Sequence, residues 1–357
     1  IKIPYAALRF PKKEEQVWGI QFARKILHLN EVYTWNYVNK SLGRFSQYNG
    51  LLKGIKNIEP PVRMSFYPYT SAAVEQFQDN TKSNFSAGLD FKYGINDAFT
   101  LDATLIPDFG QTAFDRVELN LGPFEQTFGE NRAFFTEGTE LFTKGNLFYS
   151  RRIGDSPIGF NSAQNEILNN EIILENPEKT DLLNALKISG RTDRGLGIGF
   201  FNAITQETFA GFRDTITGVN RTLVTEPFAN YNIFVLDQQY NQNSSITLIN
   251  TNVTRNGHFR DGNVTGFLFD VFNKSNSFNF RGETKMSNVN KTKQNLTGFA
   301  STFAIERTKG NFRYEFEHEF ANETYDINDL GLNFKNNYND FSAQISYRIF
   351  EPTKKIQ

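Results

Sequence analysis

A strict two-residue alternation of aromatic and polar side chains constrains the fold of this chain more than any other feature. In residues 311–320 the even positions are Phe312, Tyr314, Phe316, His318 and Phe320, and the odd positions are Asn311, Arg313, Glu315, Glu317 and Glu319. We call each such set of alternate positions a parity. Because successive side chains of a β-strand point to opposite faces, this stretch predicts a strand with one aromatic face and one charged face. The alternation recurs around residues 298–306 and 341–349. Many amphipathic strands in one chain favour a closed barrel.

The distribution of apolar residues excludes membrane helices but leaves membrane strands possible. The mean hydropathy is −0.48, and no run approaches the roughly 20 apolar residues that a membrane helix requires. The chain nevertheless contains 37 Phe and 14 Tyr among 357 residues. A barrel strand needs only alternate residues to face lipid. We therefore predict an all-β fold, an antiparallel transmembrane β-barrel.

The connections between the predicted strands sort by length. Nine strands of about ten residues, the length that crosses an outer membrane at a tilt, are predicted at 185–191, 196–206, 228–240, 244–254, 263–273, 277–287, 297–307, 311–320 and 340–350. Short connections at 192–195, 241–243, 274–276 and 308–310 alternate with long polar ones at 207–227, 255–262, 288–296 and 321–339. Outer-membrane barrels have short periplasmic turns and long external loops. The alternation therefore predicts an outer-membrane location.

Composition and periodicity divide the chain into five segments. Residues 1–40 form a few short predicted strands, too few for an independent domain. Residues 41–83 are rich in Gly and Pro and predict a linker, whereas residues 84–107 predict the first barrel hairpin. Residues 108–182 have little periodicity but are too aromatic for disorder, so we interpret them as a plug, a lid or a subdomain. Residues 183–357 carry the remaining barrel strands.

The sequence leaves open which side of the membrane holds residues 108–182. If the short turns are periplasmic, the turn at 95–97 is periplasmic too, and residues 108–182 start and end at the outer side. From there the segment could fold into the lumen. Successive strands cross the membrane in opposite directions. If the segment is instead periplasmic, the predicted set of strands is therefore wrong by one strand.

Three motifs carry a resemblance to a known family: Pro107–Gln111, Glu130–Gly138 and Phe148–Gly154. With them, the chain resembles the DUF5916-type family of large Bacteroidota outer-membrane proteins of unknown function. That family has a family-9 carbohydrate-binding-like sandwich followed by a C-terminal β-barrel. Ile3–Phe10 and Trp18–Phe22 are similar to the closing strands of the sandwich, which the resemblance places in the periplasm.

The resemblance implies no reaction, so no catalytic residue is carried over. The chain departs from the family pattern at Ala133, where Pro is common, and at Gln111–Asp115, where an acidic run is common. Family members are longer at both ends. We therefore expect the barrel to be incomplete in this sequence, with further strands beyond it.

Charged residues on the polar parity and in the 108–182 segment are the candidate lumen or ligand-binding residues. They are Arg281, Glu283, Arg313, Glu315 and Glu317 on strands, and Arg132, Arg151 and Arg152 in the segment. One interpretation is a charged lumen that selects or binds solutes. The other is a filled interior whose charges pair across strands. The pairing interpretation is favoured for both groups.

Several other kinds of site are disfavoured. The chain has no Cys, and its three His residues have no metal-ligand spacing, so we predict no metal site and no cofactor. A net charge of −1 gives no bulk attraction to nucleic acid. Ser301 and His318 would suit a membrane phospholipase if they lay opposite each other on neighbouring strands. No orienting acid is evident for such a pair.

The sequence supports two main functional hypotheses. The first is an outer-membrane barrel that acts as a pore, in transport or in a cell-surface assembly, without an enzymatic reaction. The second is a membrane-anchored scaffold that binds a glycan or a protein at the surface or in the periplasm. Trp18, Trp35 and Tyr37 are candidates for sugar stacking, although Trp18 alternates with Ile20 and Phe22, which favours core packing.

Overall fold

The computed structural model describes residues 2–5, 8, 10, 12–39, 45–59, 64–77, 80–107, 126–241, 243–291 and 294–350. Within these ranges the strands are β1 (Glu15–Ile20), β2 (Ala23–Ile26), β3 (Glu31–Thr34), β4 (Gly50–Lys56), β5 (Met64–Phe77), β6 (Asn80–Gly94), β7 (Phe99–Leu105), β8 (Glu171–Glu175), β9 (Leu182–Arg191), β10 (Leu196–Thr205), β11 (Thr208–Asp214), β12 (Asn220–Glu226), β13 (Ala229–Tyr240), β14 (Ser244–Arg255), β15 (Asp261–Phe272), β16 (Phe278–Lys291), β17 (Gln294–Arg307), β18 (Phe312–Ala321) and β19 (Tyr338–Tyr347).

Helical structure is limited to single turns in the described ranges. They are α1 (Ala133–Thr136) and 3₁₀ turns at Leu27–Leu29, Phe45–Tyr48, Lys144–Asn146, Ser150–Arg152 and Ser162–Glu166. None of the described helices is long and apolar enough to cross a membrane.

One twelve-stranded antiparallel sheet dominates the structure. Its order is β19-β18-β17-β16-β15-β14-β13-β10-β9-β7-β6-β5. In the part of the chain that the structure describes, β5 and β19 are the two edges and do not pair with each other. The all-β antiparallel prediction is therefore confirmed, whereas a closed barrel is not seen within these ranges.

The nine strands predicted in the C-terminal half all occur, with ends shifted by a few residues. The parity prediction also holds on β18, where Phe316 pairs across the sheet with Ile305 on one side and Ala343 on the other. Glu317, one residue further, pairs with Ala304 and Ser342 on the opposite face. The alternation that is visible in the sequence thus becomes two chemically different faces of one sheet.

Connections at one end of the large sheet, here the short-turn end, are short. They are 95–98, 192–195, 241–243, 273–277 and 308–311. The connections at the opposite end, the long-loop end, are 78–79, 106–181, 206–228, 256–260, 292–293 and 322–337. The long loop predicted at 288–296 is wrong, because β16 and β17 remain paired as far as Lys291 and Gln294. The polar residues at 288–296 suggested a loop, but those that the structure describes continue the two strands, with successive side chains on opposite faces.

The linker predicted at 41–83 is wrong where the structure describes it. It contains β4, which pairs with β1, and β5, which pairs with β6 along its whole length. Pro68 lies in β5 opposite Leu89. An edge strand tolerates proline because its outer side makes no ladder hydrogen bonds, so the turn-forming residues misled the prediction. Residues 41–44, 60–63 and 78–79 lie outside the described ranges. The hairpin of β6 and β7 forms as predicted.

The N-terminal strands form two small ribbons, β1 with β4 and β2 with β3. No strand is present at the described positions among residues 1–10, which corrects the strand expected there. The core packing expected for Trp18 is present only in part: its ring lies 6.0 Å from that of Tyr5 and 5.6 Å from that of Phe10, but Trp18 is half-buried and Phe22 on the same parity is exposed. The Lys12 N–H donates to Asp97 Oδ2 at 3.2 Å. This contact joins the N-terminal part to the short-turn end.

The main apolar core lies on one face of the large sheet, where residues 126–155 cover it. We call this face the inner face, its opposite the outer face, and residues 126–155 the inner segment. Buried core side chains of the inner segment and of the strands are Phe135, Leu141, Phe142, Leu147, Ile153, Phe201, Tyr231, Ile233, Val235 and Ile249. A smaller core around Ala163, Ala210 and Phe212 lies beneath the three-stranded sheet of β8, β11 and β12.

The outer face carries the aromatic parity. Large apolar side chains that are more than a third exposed there include Phe234, Leu248, Phe267, Phe280, Phe299, Phe303 and Phe316. A folded protein in water rarely exposes a contiguous apolar surface of this kind. Apolar residues of this sheet thus lie on both faces: those of the inner face are buried under the inner segment, and those of the outer face are exposed.

Candidate functional site on the inner face

The inner segment follows the inner face from the long-loop end almost to the short-turn end and returns. Near its start, Lys187 Nζ of β9 donates to the carbonyl oxygens of Phe134 (2.6 Å) and Glu137. On its return, the Tyr149 N–H donates to the carbonyl oxygen of Leu330 in the 322–337 loop (2.6 Å). The 106–181 connection starts and ends at the long-loop end of the sheet, as the first alternative requires, and the side of the membrane on which it lies stays a prediction. Residues 108–125, which include most of the motif Pro107–Gln111, lie outside the described ranges.

Glycines of the sheet make room for the inner segment. A Cβ atom at Gly199 would lie 3.0 Å from the ring of Phe142, and one at Gly266 would lie 3.0 Å from Leu147 Cδ1. Both distances are shorter than ordinary side-chain contacts, so larger residues would push the segment away. Glycine in a strand allows another part of the chain to approach closely, and Gly199 and Gly266 have that role here.

A buried carboxylate fastens the inner segment to the sheet. Asp237 of β13 is fully buried and accepts hydrogen bonds from Lys144 Nζ (2.5 Å), Thr247 Oγ1 (2.6 Å) and Arg191 Nη2. Asp237 shares the inner parity of β13 with Ile233 and Val235. A lone acid on an otherwise apolar parity was the signal that sequence reasoning missed.

Three of the predicted lumen residues come together on the inner face. Arg281 Nη2 of β16 donates to Glu317 Oε2 (2.6 Å) and to Glu315 Oε1 on β18. Glu283, also on β16, accepts from Lys285 Nζ at 2.5 Å. These charges pair across or along strands, and the pairs compensate for the cost of removing each charge from water. Solute binding by them stays a prediction.

A cavity of about 410 Å³ lies between the inner segment and strands β14 to β18. We call it the inner cavity. Its polar lining comes from Lys144, Ser245, Thr247, Asp270, Arg281, Glu283, Thr302 and Glu319. The lining contains both signs of charge together with hydroxyl groups. It can therefore hydrogen-bond a polar solute of either charge.

Of the three arginines predicted in the segment, Arg132 and Arg151 bind groups of the segment itself, whereas Arg152 also reaches the 322–337 loop. Arg132 is 7% exposed and bonds Glu130 through Nε (2.9 Å) and Nη2 (2.8 Å), while Nη1 donates to the Ile153 carbonyl (2.8 Å). Arg151 Nη2 donates to the Gly129 carbonyl at 2.6 Å. Arg152 Nε reaches the Gly331 carbonyl at 3.3 Å. Their contacts agree with the pairing interpretation, and none of the three lines the inner cavity.

The carboxylate of Glu130 is held in its charged form. Burial opposes ionisation, but the hydrogen bonds and charge of Arg132 and the hydroxyl of Ser150 outweigh it and lower the pKa of Glu130. The motif Glu130–Gly138 thus supplies both halves of a buried ion pair. Ala133 begins α1, the position where a helix accepts proline. The departure from the family pattern at Ala133 is therefore compatible with the same local fold.

Three further residues singled out in the sequence, Arg313, Ser301 and His318, lie apart from the inner cavity. Arg313 Nε donates to the Gly310 carbonyl at the short-turn end (3.1 Å). The expected Ser301–His318 pair is wrong, because Ser301 pairs with Phe320 and His318 pairs with Phe303. The register differs by two residues from the one that the 308–310 turn suggested. His318 Nε2 hydrogen bonds with Asn339 Oδ1 at 2.6 Å instead.

A second ion-pair network ties the long loops together. Arg255 contacts Glu226 (2.9 Å) and Asp329 (2.8 Å), and Arg260 contacts Asp329 (2.7 Å) and Asp326 (2.9 Å). Burial opposes ionisation of Asp326, but Arg260 and the Asn328 N–H lower its pKa. The aspartates of Tyr325–Asp329 thus bind arginines. Among the described residues no group of three or more His, Cys, Asp or Glu is placed to hold a metal ion.

The fold and the site define a class: an all-β protein built on one large antiparallel sheet, with aromatic side chains exposed on the outer face and, on the inner face, an apolar core and paired charges covered by its own chain. Within that class the chain belongs to the DUF5916 family. The model of that family, a domain of unknown function, matches residues 60–357. A search of curated protein sequences finds no match.

Solved structures similar to this chain include three of OmpT from Vibrio cholerae. The in-vitro folded outer membrane protein in its trimer form is 11% identical, with 80% of this chain and 98% of that chain covered and a TM-score of 0.28. A second in-vitro folded form is 11% identical, covers 80% and 96%, and has a TM-score of 0.31. The outer-membrane expressed form is 10% identical, covers 81% and 99%, and has a TM-score of 0.31.

Proposed function

We propose that this chain forms an outer-membrane β-barrel whose lumen is filled by the inner segment. The observation that carries the proposal is the exposed aromatic surface of the outer face, which lies opposite buried apolar groups and paired charges on the inner face. Aromatic residues are exposed on the outer face, while Arg281, Glu315 and Glu317 pair on the inner face. Hydrocarbon favours such an outer face and water does not. Closure of the sheet into a barrel would remove the open edges of β5 and β19.

The role that we propose for this barrel is a gated pore, for transport or within a cell-surface assembly. The inner segment acts as a plug that the Lys144–Asp237 pair holds in place, and the inner cavity is the remaining polar space beside it. Lys144 contributes to both the pair and the cavity lining. Displacement of the inner segment would therefore connect the inner cavity with the rest of the lumen and open a path for solutes.

The proposed location is the outer membrane of a Gram-negative bacterium, and the family resemblance favours Bacteroidota. The long-loop end faces outward and the short-turn end faces the periplasm. The Lys12–Asp97 contact supports a periplasmic position for the N-terminal ribbons. A carbohydrate-binding-like sandwich that ends within residues 1–40 would then lie in the periplasm.

Planar-bilayer recording tests the pore. Replacing residues 139–147 with a flexible Gly-Ser linker should raise the single-channel conductance, because it removes the part of the segment that reaches Asp237. The matched control replaces residues 215–218, the turn between β11 and β12, with the same type of linker. That turn lies outside the inner face, so conductance should stay unchanged. Heat-modifiable gel migration verifies that each form is folded. No conductance in either form would refute the pore.

A membrane-anchored scaffold is the second candidate, and the N-terminal part favours it. Trp35 and Tyr37 are 62% and 77% exposed. Aromatic side chains that stack on a sugar or bind a partner protein must be exposed in this way. Here the barrel would only anchor the binding surface. Folded protein that inserts into the bilayer and carries no current, with or without residues 139–147, is the result that this candidate predicts.

A further inference from the structure

Amide side chains form two neighbouring rows on the outer face, next to the long-loop end. The first row runs through direct cross-strand partners on six strands: Asn202, Asn232, Asn252, Asn263, Asn288 and Thr297. The second row contains Asn230, Thr254, Asp261, Asn290 and Asn295. We call the two rows the asparagine belt. Each member of the first row lies within three residues of the strand end at the long loops.

The asparagine belt interrupts the apolar surface of the same strands. Phe234, Leu248 and Phe267 share its face but lie nearer the short-turn end. An amide that lacks a partner costs several kcal/mol in hydrocarbon. In a barrel that spans a membrane, the belt therefore lies above the hydrocarbon, at the level of the lipid headgroups.

Hydrogen bonds within the asparagine belt use part of its capacity and orient the amides. Asn202 Nδ2 donates to Asn232 Oδ1 at 2.9 Å and to Asn230 Oδ1 at 2.7 Å. Thr297 Oγ1 donates to Asn288 Oδ1 at 2.9 Å. Each amide has two donor hydrogens and an acceptor oxygen with two lone pairs. The described contacts of the belt do not saturate this capacity.

The asparagine belt contains a groove of suitable size for a ligand. A cavity of about 340 Å³ lies on it, and its amide lining comes from Asn252, Asn263, Asn288, Asn290 and Asn295. This volume falls within the range of about 300–1,000 Å³ that is typical of small-molecule sites. The groove lies on the outer face and is therefore separate from the inner cavity.

The charge of the asparagine belt selects among headgroup chemistries. Its two rows contain no Lys or Arg, and the single acid, Asp261, accepts a hydrogen bond from the Arg255 N–H through Oδ1 (2.7 Å). Phosphate recognition relies on cationic donors. A hydroxyl both donates and accepts, as an amide does. Neutral sugar is therefore the headgroup chemistry that these side chains match.

We infer that the asparagine belt binds the neutral saccharide part of a glycolipid in the outer leaflet. The inference rests on the proposed membrane location of the barrel and is independent of its role as a pore. The groove holds the sugar, and the neighbouring apolar surface below it contacts the acyl chains.

The test uses nanodiscs of phosphatidylcholine that contain equal amounts of digalactosyldiacylglycerol and phosphatidylglycerol. Native mass spectrometry measures which lipid remains with the refolded full chain. The galactolipid should be enriched about tenfold over phosphatidylglycerol, equivalent to about 1.4 kcal/mol. The double variant Asn263→Leu/Asn290→Leu should lose this enrichment. Asn263→Ala/Asn290→Ala removes the same hydrogen-bonding groups without adding bulk, so it should also lose the enrichment, even if the leucine variant fails to fold.

A matched control and the opposing outcomes complete the experiment. Asn339→Leu changes an amide on the outer face of β19, away from the belt, and should retain the enrichment. Equal retention of the two lipids by the unaltered chain would overturn the inference, as would a preference for phosphatidylglycerol. Dimers that disappear in the belt variants would instead identify the belt as a contact between copies. Failure to insert would overturn the membrane location itself, and absence of current alone would affect only the pore.

Discussion

Single buried charges decide how the inner segment is held. Arg132 and Glu130 pair with each other, and the other guanidinium nitrogen of Arg132 bonds the Ile153 carbonyl on the returning part of the segment. Asp237 has the same effect between the segment and the sheet. Lys144 and Arg191 keep 26% and 28% of their side-chain surface exposed, but removal of Glu130 would leave Arg132 buried without compensation. Such a loss costs more than the formation of the pair contributes.

The ion pair of Glu130 gives a prediction at the scale of one residue. Glu130→Gln should destabilise the folded chain by about 3 kcal/mol near neutral pH, because Arg132 then lies buried without a counter-charge. Urea unfolding in detergent micelles measures the change. The control Glu140→Gln removes an acid that is exposed in the same segment, and its effect should be small. Equal effects of the two substitutions would contradict the role of the pair.

The pH dependence of this difference has a definite sign. The folded-state pKa of Glu130 lies below its usual value of 4.5. The stabilisation is therefore present above pH 4.5 and is lost as pH falls through the folded-state pKa. Unfolding curves of the unaltered chain and of Glu130→Gln should accordingly converge in that acidic range. A stability difference that is unchanged there would contradict the assignment.

At the scale of elements, local alternation predicts strands well and turn-forming residues predict their absence poorly. The nine C-terminal strands follow from the periodicity of their own residues. β5 was missed because Pro68 indicates a turn unless the strand is known to lie at an edge. The β16–β17 ends were missed because Asn and Lys occur both in loops and on the outer ends of barrel strands. Whether such a stretch pairs depends on its neighbour.

The attachment of the inner segment to β13 gives a prediction for an element. Asp237→Asn should release the segment, since Lys144 and Arg191 lose their shared carboxylate, at a cost of about 1–3 kcal/mol. Limited trypsin digestion should then cleave after Lys144 faster than in the unaltered chain. Asp193→Asn, in an exposed short turn, should leave the rate unchanged. Resistance of the Asp237→Asn chain to cleavage would count against the attachment.

At the scale of the whole molecule, the arrangement of polarity is the main finding. Aromatic side chains cover the outer face, amides gather near the long-loop end, and charges meet the inner segment on the inner face. Each of these three surfaces also occurs in proteins that do not contact a membrane. Their combination on one sheet is what favours lipid as the surroundings of this protein.

Arginine substitutions on β14 test this arrangement. Leu248→Arg on the outer face should impair insertion into lipid vesicles by about 2–4 kcal/mol, the cost of a cation near the middle of a bilayer. Asn252→Arg, on the same face but in the asparagine belt, should cost about 0–1 kcal/mol, because it lies near the interface. The folded fraction in vesicles measures both. Equal costs would argue against a membrane that covers only the apolar part of the face.

The sequence by itself determined where most strands of the C-terminal half lie and which residues share a face, because strand periodicity is a local property. It also indicated that Arg281, Glu315 and Glu317 share the polar parity. Only the tertiary structure decided which of them meet, where the inner segment lies, and that Ser301 and His318 are not partners. Lys144 and Asp237 are 93 positions apart. Contacts at such separations depend on the register and path of the whole sheet, which no local pattern encodes.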